Sequence, residues 1–187
     1  MARLGRLLRT AVTRAVGQER LERWFFEDLA RRGTLCYRDF GDHRLVFDPS
    51  ESVGRRIHAE GGFHRDVTQM VFEAATGGRR GGVFLEIGAN IGTQTVYALM
   101  SGLFDRIVAV EPDPHNFRVL ETNIGLNGGA ASVDRACLAF SDRAGDARLT
   151  RHSGHSGAST LETLADADRV RPETDPAVTV ETVTGDA

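Results

Sequence analysis

The sequence predicts an α/β fold in which parallel strands form half of a doubly wound sheet. Two continuous apolar runs, at 83–88 (VFLEIG) and 106–112 (RIVAVEP), flank a segment with helical spacing, and a third run occupies 132–140. Continuous apolar runs are typical of parallel strands that are buried on both faces. Right-handed crossovers would place the three strands side by side in the order 3-2-1.

The composition is that of an ordinary globular chain and excludes several chemistries. The chain has 187 residues, a net charge of -3, and 23 basic residues that are all arginine. Without lysine there is no lysine Schiff base, no lysine general base and no P-loop lysine. The acidic balance gives no reason to expect a nucleic-acid partner. Two distant cysteines, Cys36 and Cys137, show no metal-binding spacing, so we expect reduced thiols and no metal site.

We expect residues 1–33 to form a helical extension. Apolar residues recur at helical spacing over 3–16 with arginines between them, which predicts a basic amphipathic helix. Such a helix either makes weak contact with a membrane surface or covers part of the domain. A second helix is expected over 19–32, ending at Gly33. No apolar run is long enough for a membrane span or a secretory signal, and we expect a cytoplasmic protein.

Residues 34–82 form the predicted lead-in to the sheet. Period-two spacing over 34–48, interrupted by GDH, predicts a β-hairpin that ends at Pro49. Helical spacing returns between His64 and Ala75. One apolar face of that helix consists of Val67, Met70, Val71 and Ala74. A cluster of glycines then separates the lead-in from the sheet.

Residues 83–187 form the predicted cofactor-binding domain. The first crossover helix places Val96, Leu99, Met100 and Leu103 on one face. The second begins with Asp113 as N-cap and Pro114 at the first helical position. Beyond 141 we expect a short strand at 145–150, a polar loop, an acidic stretch at 161–176 and an edge-type strand at 177–184.

The residues with the clearest functional pattern lie between the first strand and the first crossover helix. They are Glu86, Ile87, Gly88, Ala89, Asn90, Ile91, Gly92 and Thr93. The glycines permit a tight turn that brings backbone N–H groups close to a ligand. Glu111 ends the second strand, where an acid can accept both hydroxyls of an adenosine ribose.

The spacing of this turn distinguishes between two cofactors. A dinucleotide site favours G-x-G-x-x-G, whereas this turn reads G-x-N-x-G and follows the acid Glu86. Glu86 would repel a pyrophosphate, yet it could hold an ammonium group. S-adenosylmethionine has an ammonium and a ribose and lacks phosphate. The turn therefore favours S-adenosylmethionine over NAD.

These motifs together resemble the FkbM family of S-adenosylmethionine-dependent methyltransferases. The similarity rests on GANIG at 88–92, EPDP at 111–114, the helix HNFRVLETNIGLNG, the third strand running into a serine-aspartate pair, and the lead-in RLVFDPSESVGRRIHAEGGFHRD. It covers roughly residues 43–161. The resemblance implies a Rossmann-like class I methyltransferase fold that methylates a hydroxyl oxygen of a saccharide or other small metabolite.

The resemblance also implies roles for individual residues. Around the methionine portion it places Glu86, Gly88, Asn90 and Gly92, with Ala89 and Thr93 in the same turn; Glu111 binds the ribose, Asp113 flanks the adenosine, and Ser141 with Asp142 lies at the adenine. It names no general base and no other catalytic residue in this chain.

One departure from the family pattern leaves alternatives open. The family continues into a fourth strand with an acid-rich motif, and nothing of that kind follows Val183. We therefore expect a truncated product, a domain fragment or a protein that another chain completes; without the fourth strand, the first strand would have an exposed edge. The alternatives are an incomplete fragment that acts as a binding or membrane-surface module and, with less support from the turn, an NAD-binding oxidoreductase.

Overall fold

The computed structural model describes residues 20, 28–29, 32–151, 159–163 and 177–186, which form a mixed α/β structure. The described helices are α1 (Ser52–Glu60), α2 (Arg65–Thr76), α3 (Thr93–Ser101) and α4 (Pro114–Leu126). The described strands are β1 (Cys36–Asp39), β2 (Arg44–Phe47), β3 (Val83–Ile87), β4 (Arg106–Val110), β5 (Val133–Ala136), β6 (Ala139–Phe140), β7 (Gly145–Thr150), β8 (Thr160–Thr163) and β9 (Ala177–Val183).

Most of the predicted elements between residues 34 and 151 are present. Strands β1 and β2 form the predicted antiparallel hairpin, and α2, α3 and α4 occur where the helical spacing predicts them. Helix α1 is not predicted by the sequence pattern, because few apolar residues mark its buried face. The helix predicted over 3–16 and most of the one over 19–32 lie outside the described residues. No helix in the described part is long and apolar enough to cross a bilayer.

A three-stranded parallel sheet contributes to the largest apolar core among the described residues. Strand β4 lies between β3 and β5, with Val83 opposite Arg106 and Ile107 opposite Val133. The residues that form its core come from the sheet, the crossover helices and α2, and include Phe72, Ala89, Tyr97, Ala98, Ile107, Ala109, Leu120, Ile124 and Val133. This core fixes the relative positions of the three strand ends.

The prediction that the first strand is buried on both faces was wrong. Val83, Leu85 and Ile87 are 60%, 50% and 59% exposed, whereas Phe84 packs against the core. The described helices cover the opposite face, and within the described ranges β3 has a neighbouring strand on one side only. The apolar run therefore marks a strand correctly, but its alternate side chains meet no covering element in this part of the chain.

The apolar face predicted for α2 is also exposed. Val67, Met70 and Val71 are 58%, 67% and 57% exposed, and the helix buries Thr68 and Phe72 instead. Phe72 packs edge-on against Phe84 and Phe104, at centroid distances of 5.0 and 5.1 Å. Aromatic packing therefore decides which face of this helix meets the core.

The single strand predicted over 132–140 is two strands that belong to different sheets. Strand β5 ends at Ala136, and β6 pairs in parallel with β9 in a four-stranded sheet of order β6-β9-β7-β8. The strand predicted at 145–150 is present as β7. Strand β9 pairs with β6 on one side and β7 on the other, so the prediction of an edge-type strand at 177–184 was wrong. Strand β8 overlaps segments that we interpreted as polar loop and acidic stretch.

Asn123 connects the lead-in hairpin to the parallel sheet. Its side chain is fully buried; Nδ2 donates to the carbonyls of Val46 and Ile91 at 3.0 and 2.8 Å, and Oδ1 accepts from Val46 N–H at 2.6 Å. Ile91 belongs to the turn formed by residues 88–92, which we call the glycine turn. The Asn123 side chain therefore ties β2, α4 and the glycine turn together.

We expect Asn123→Ala to lower the free energy of unfolding by about 2–4 kcal/mol, because it leaves one buried and two part-buried backbone groups without this partner. Urea unfolding followed by circular dichroism measures the change. Thr122→Ala, at an exposed neighbouring position, is the matched control and should change it by less than about 0.5 kcal/mol. A loss below about 1 kcal/mol for Asn123→Ala would contradict the proposed link.

Candidate functional site

The glycine turn between β3 and α3 is built by backbone conformation. The N–H groups of Gly88 and Ala89 both donate to the Val110 carbonyl at 2.9 Å, which holds the turn against the end of β4. Gly88, Asn90 and Gly92 have φ values of 78°, 52° and 79°. This left-handed conformation favours glycine and is tolerated by asparagine. The G-x-N-x-G spacing therefore follows from the shape of the turn.

The two glycines have different surroundings. A Cβ atom on Gly92 would lie 2.3 Å from Cδ1 of Leu120, which is fully buried. A Cβ atom on Gly88 would meet no atom within 4 Å. Gly92 is therefore required by packing as well as by its φ angle, whereas Gly88 faces open space beside the turn.

Glu111 is held at the end of β4 by two backbone donors. Glu111 is only 5% exposed. Its Oε2 accepts a hydrogen bond from Asn90 N–H at 2.7 Å, and its Oε1 accepts one from Asp113 N–H at 2.9 Å. Burial raises the pKa of Glu111, the negative charge of Asp113 raises it further, and the two backbone bonds oppose this rise. The carboxylate is thus fixed in position with lone pairs left to accept further hydrogen bonds.

Glu86 lies in β3 close to Glu111. Its Oε2 accepts a hydrogen bond from the Thr95 hydroxyl at the start of α3. Burial raises the pKa of Glu86 to about 7, and the negative charge of Glu111 contributes in the same direction. Within the described ranges, no arginine or histidine forms an ion pair with either carboxylate. A half-buried and a buried acid that lie next to each other in this way favour a cationic ligand.

The raised pKa of Glu86 predicts a pH dependence of stability. Because this pKa is higher in the folded chain than its ordinary value of 4.5, the folded state binds the proton more tightly. The contribution to stability is complete below about pH 4.5, falls as the pH rises to about 7, and is then constant. We expect Glu86→Gln to flatten this decline, measured by urea unfolding at about pH 5 and about pH 8.

The control for this pH dependence is Glu73→Gln on the exposed surface of α2, which should leave the decline unchanged. A residual slope is expected in Glu86→Gln, because the pKa of Glu111 is raised as well. If Glu86→Gln declined as steeply as the unsubstituted protein, Glu86 would not be the group that titrates.

The Asp113 carboxylate caps α4 and forms an ion pair with Arg151. Its Oδ1 accepts from His115 N–H at 2.7 Å and so caps α4, as predicted. The same carboxylate forms a bidentate ion pair with Arg151, whose Nε and Nη2 lie 2.5 Å from Oδ2 and Oδ1. Arg151 is not among the residues predicted from the sequence, because 38 residues separate it from Asp113 and no local pattern connects them.

The remaining candidate residues divide into two groups. Ala89 and Thr93 are buried in the glycine turn and at the first position of α3. Ser141 donates through its N–H to the Val183 carbonyl at 2.9 Å, and its hydroxyl donates to Asp142 at 3.2 Å. In the part of the chain that the structure describes, no bond joins Ser141 or Asp142 to Glu86, Glu111 or the turn. Their predicted place at the adenine therefore stays a prediction.

A cavity of about 210 Å³ opens beside the turn. It lies between the lead-in, the glycine turn and the start of α4. Its charged lining consists of Asp48, Glu51, Asp113 and Arg151, with His115 and Asn116 adding polar groups. Three carboxylates against one guanidinium make this cavity unfavourable for an anionic ligand and suited to hydroxyl or ammonium groups.

The comparisons with known proteins found partial structural similarity. No protein-family model matches the sequence, and no curated protein matches it. The M. jannaschii tRNA m1G37 methyltransferase structure is similar over 59% of this chain and 34% of its own, with 16% identity and a TM-score of 0.40. The methyltransferase FkbM structure from Methylobacillus flagellatus KT is similar over 36% of this chain and 19% of its own, with 18% identity and a TM-score of 0.29. The similarity to each structure thus spans about a third or less of that structure's length.

Proposed function

We propose that this protein is an S-adenosylmethionine-dependent methyltransferase of the FkbM type with a class I fold. The observation that carries the proposal is the pair of neighbouring carboxylates, the half-buried Glu86 and the buried Glu111, at the ends of two parallel strands beside the glycine turn. Ligands of open parallel sheets bind at the carboxyl ends of the strands. The donor set fits a ligand that has one ammonium and a ribose and lacks phosphate.

Each part of the site has a place in the proposed complex. The ionised Glu86 would hold the ammonium of the methionine portion, and Glu111 would accept hydrogen bonds from the ribose hydroxyls. Gly88 leaves open space where a Cβ atom would otherwise stand, so the ligand can approach the backbone. S-adenosylmethionine supplies a sulfonium methyl group that an acceptor oxygen can take. The protein would contribute mainly the alignment of that acceptor.

We propose that the acceptor is a hydroxyl of a saccharide or another small metabolite. The cavity that contains Asp48 and Glu51 lies next to the turn, and carboxylates and amides bind hydroxyl groups well. Its excess of carboxylates supports a neutral or cationic acceptor and argues against nucleic acid. We also propose that the protein is cytoplasmic and that its Arg-rich segment 3–16 makes weak contact with a membrane surface.

A thermal shift experiment tests the proposed cofactor against the alternative. S-adenosylhomocysteine should raise the melting temperature, and NAD at the same concentration should leave it unchanged. Stabilisation by NAD and not by S-adenosylhomocysteine would support the oxidoreductase alternative. The absence of stabilisation by either would contradict cofactor binding by this chain.

A further inference from the structure

The bidentate ion pair between Arg151 and Asp113 joins the four-stranded sheet to the candidate cofactor site. Arg151 follows the last residue of β7, and Asp113 precedes α4. The Asp113 side chain is 5% exposed and the Arg151 side chain 34% exposed. Bidentate guanidinium–carboxylate pairs fix both distance and orientation. A buried carboxylate that loses its partner is strongly unfavourable, so Arg151 fixes the position of Asp113.

Asp113 in turn fixes the position of Glu111. The N–H group of Asp113 donates to Oε1 of Glu111 at 2.9 Å, while its own carboxylate caps the first turn of α4. A shift of the Asp113 backbone would therefore move one of the two backbone donors that hold the Glu111 carboxylate. A continuous set of hydrogen bonds leads from the Arg151 guanidinium to the end of β4.

We propose that Arg151 is a positioning residue that aligns Glu111 for the ribose of the cofactor. This inference rests on the proposed function, because it assigns Glu111 to the ribose. Arg151 acts in two ways: its planar fork holds Asp113 in place, and its positive charge offsets the carboxylate beside Glu111. No contact between Arg151 and the cofactor itself is required.

The charged groups around Glu111 show why this positive charge matters. Glu86 faces Glu111 from β3, Asp113 follows it in the chain, and the Cys137 thiol lies beyond the end of β5. Burial raises the pKa of the Cys137 thiol, which is therefore neutral near neutral pH, whereas the negative charge of Asp113 raises the pKa of Glu111. Partial neutralisation of Asp113 by Arg151 therefore helps Glu111 to stay ionised and to accept two hydroxyls.

Calorimetry with S-adenosylhomocysteine across about pH 5.5 to 8.5 tests this inference. We expect Arg151→Gln to weaken binding by about tenfold near neutral pH. We also expect the acid limb of the binding profile, which is the pH range where affinity falls on acidification, to shift upward by about half a pH unit or more. Arg151→Lys keeps the charge but loses the fork, so its acid limb should stay in place while affinity falls severalfold. A purely structural role would lower the melting temperature without moving the acid limb.

The matched control is Arg135→Gln, which removes another arginine paired to α4, through Glu121 at 3.1 Å. It should bind as the unsubstituted protein does. Unchanged affinity and pH dependence in both Arg151 variants would overturn the inference and leave the proposed function standing. If Arg151→Gln fails to fold by circular dichroism, Arg151→Lys decides: reduced affinity supports the inference, and full affinity overturns it. An unsubstituted protein that binds at no pH would refute the proposed function itself.

Discussion

Replacing Glu111 by glutamine is expected to weaken S-adenosylhomocysteine binding by on the order of 100-fold. Two charge-assisted hydrogen bonds to the ribose hydroxyls would be lost or weakened, and each such bond contributes about 1.5–3 kcal/mol. The substitution keeps the size of the side chain, and an amide oxygen can still accept one of the two backbone bonds that hold Glu111. Titration calorimetry measures the change in affinity.

Two controls make this result specific to the ribose contact. Glu121→Gln changes an exposed acid on α4 and should leave affinity within about twofold. The 2′-deoxy form of the ligand should bind more weakly to the unsubstituted protein, and Glu111→Gln should weaken its binding less than that of the full ligand, because both changes remove the bond to the 2′-hydroxyl. Equal affinity of Glu111→Gln and the unsubstituted protein would refute the assigned role of Glu111.

Replacing Gly92 by valine is expected to lower the free energy of unfolding by about 4 kcal/mol. The added Cβ atom would lie 2.3 Å from a methyl carbon of the fully buried Leu120, at a φ of 79° that β-branched residues rarely adopt. For a chain of this length the melting temperature should fall by roughly 8–16 °C. Differential scanning calorimetry measures this change.

Gly88→Val is the matched control for Gly92→Val, because the two glycines share nearly the same φ and differ in their surroundings. It should cost only the backbone strain of about 1–3 kcal/mol while reducing cofactor affinity, since its side chain enters the space beside the turn. The pair therefore separates stability from binding. Similar losses of stability at both positions would contradict the packing role of Gly92.

The candidate site was predictable from the sequence where it depends on strand ends. The carboxyl ends of parallel strands meet at one edge, so an acid in the first strand and another at the end of the second must lie close together, as Glu86 and Glu111 do. Arg151 and Thr95 were not predictable in this way. Arg151 reaches Asp113 from a different sheet, and the bond from Thr95 to Glu86 depends on the packing of α3 against β3.

The fold was predictable in its local elements and less so in their tertiary surroundings. Apolar periodicity located the strands of the parallel sheet and the helices that cover it, but it could not show that Val83, Leu85 and Ile87 lack a covering layer in the described part of the chain. Periodicity also predicted one strand where β5 and β6 are separate, because the apolar pattern continues from the end of one sheet into the start of the other. Pairing partners, which are far apart in sequence, decide such boundaries.

A crystal structure of the complex with S-adenosylhomocysteine would show directly whether Glu111 binds the ribose and Glu86 the ammonium group. We predict ribose hydroxyl oxygens within about 3 Å of the Glu111 carboxylate, and the ammonium of the ligand beside Glu86. The ligand should lie over Gly88 at the carboxyl ends of β3 and β4. A ligand bound elsewhere, or a ribose held by other side chains without contact to Glu111, would refute the roles assigned to Glu86 and Glu111.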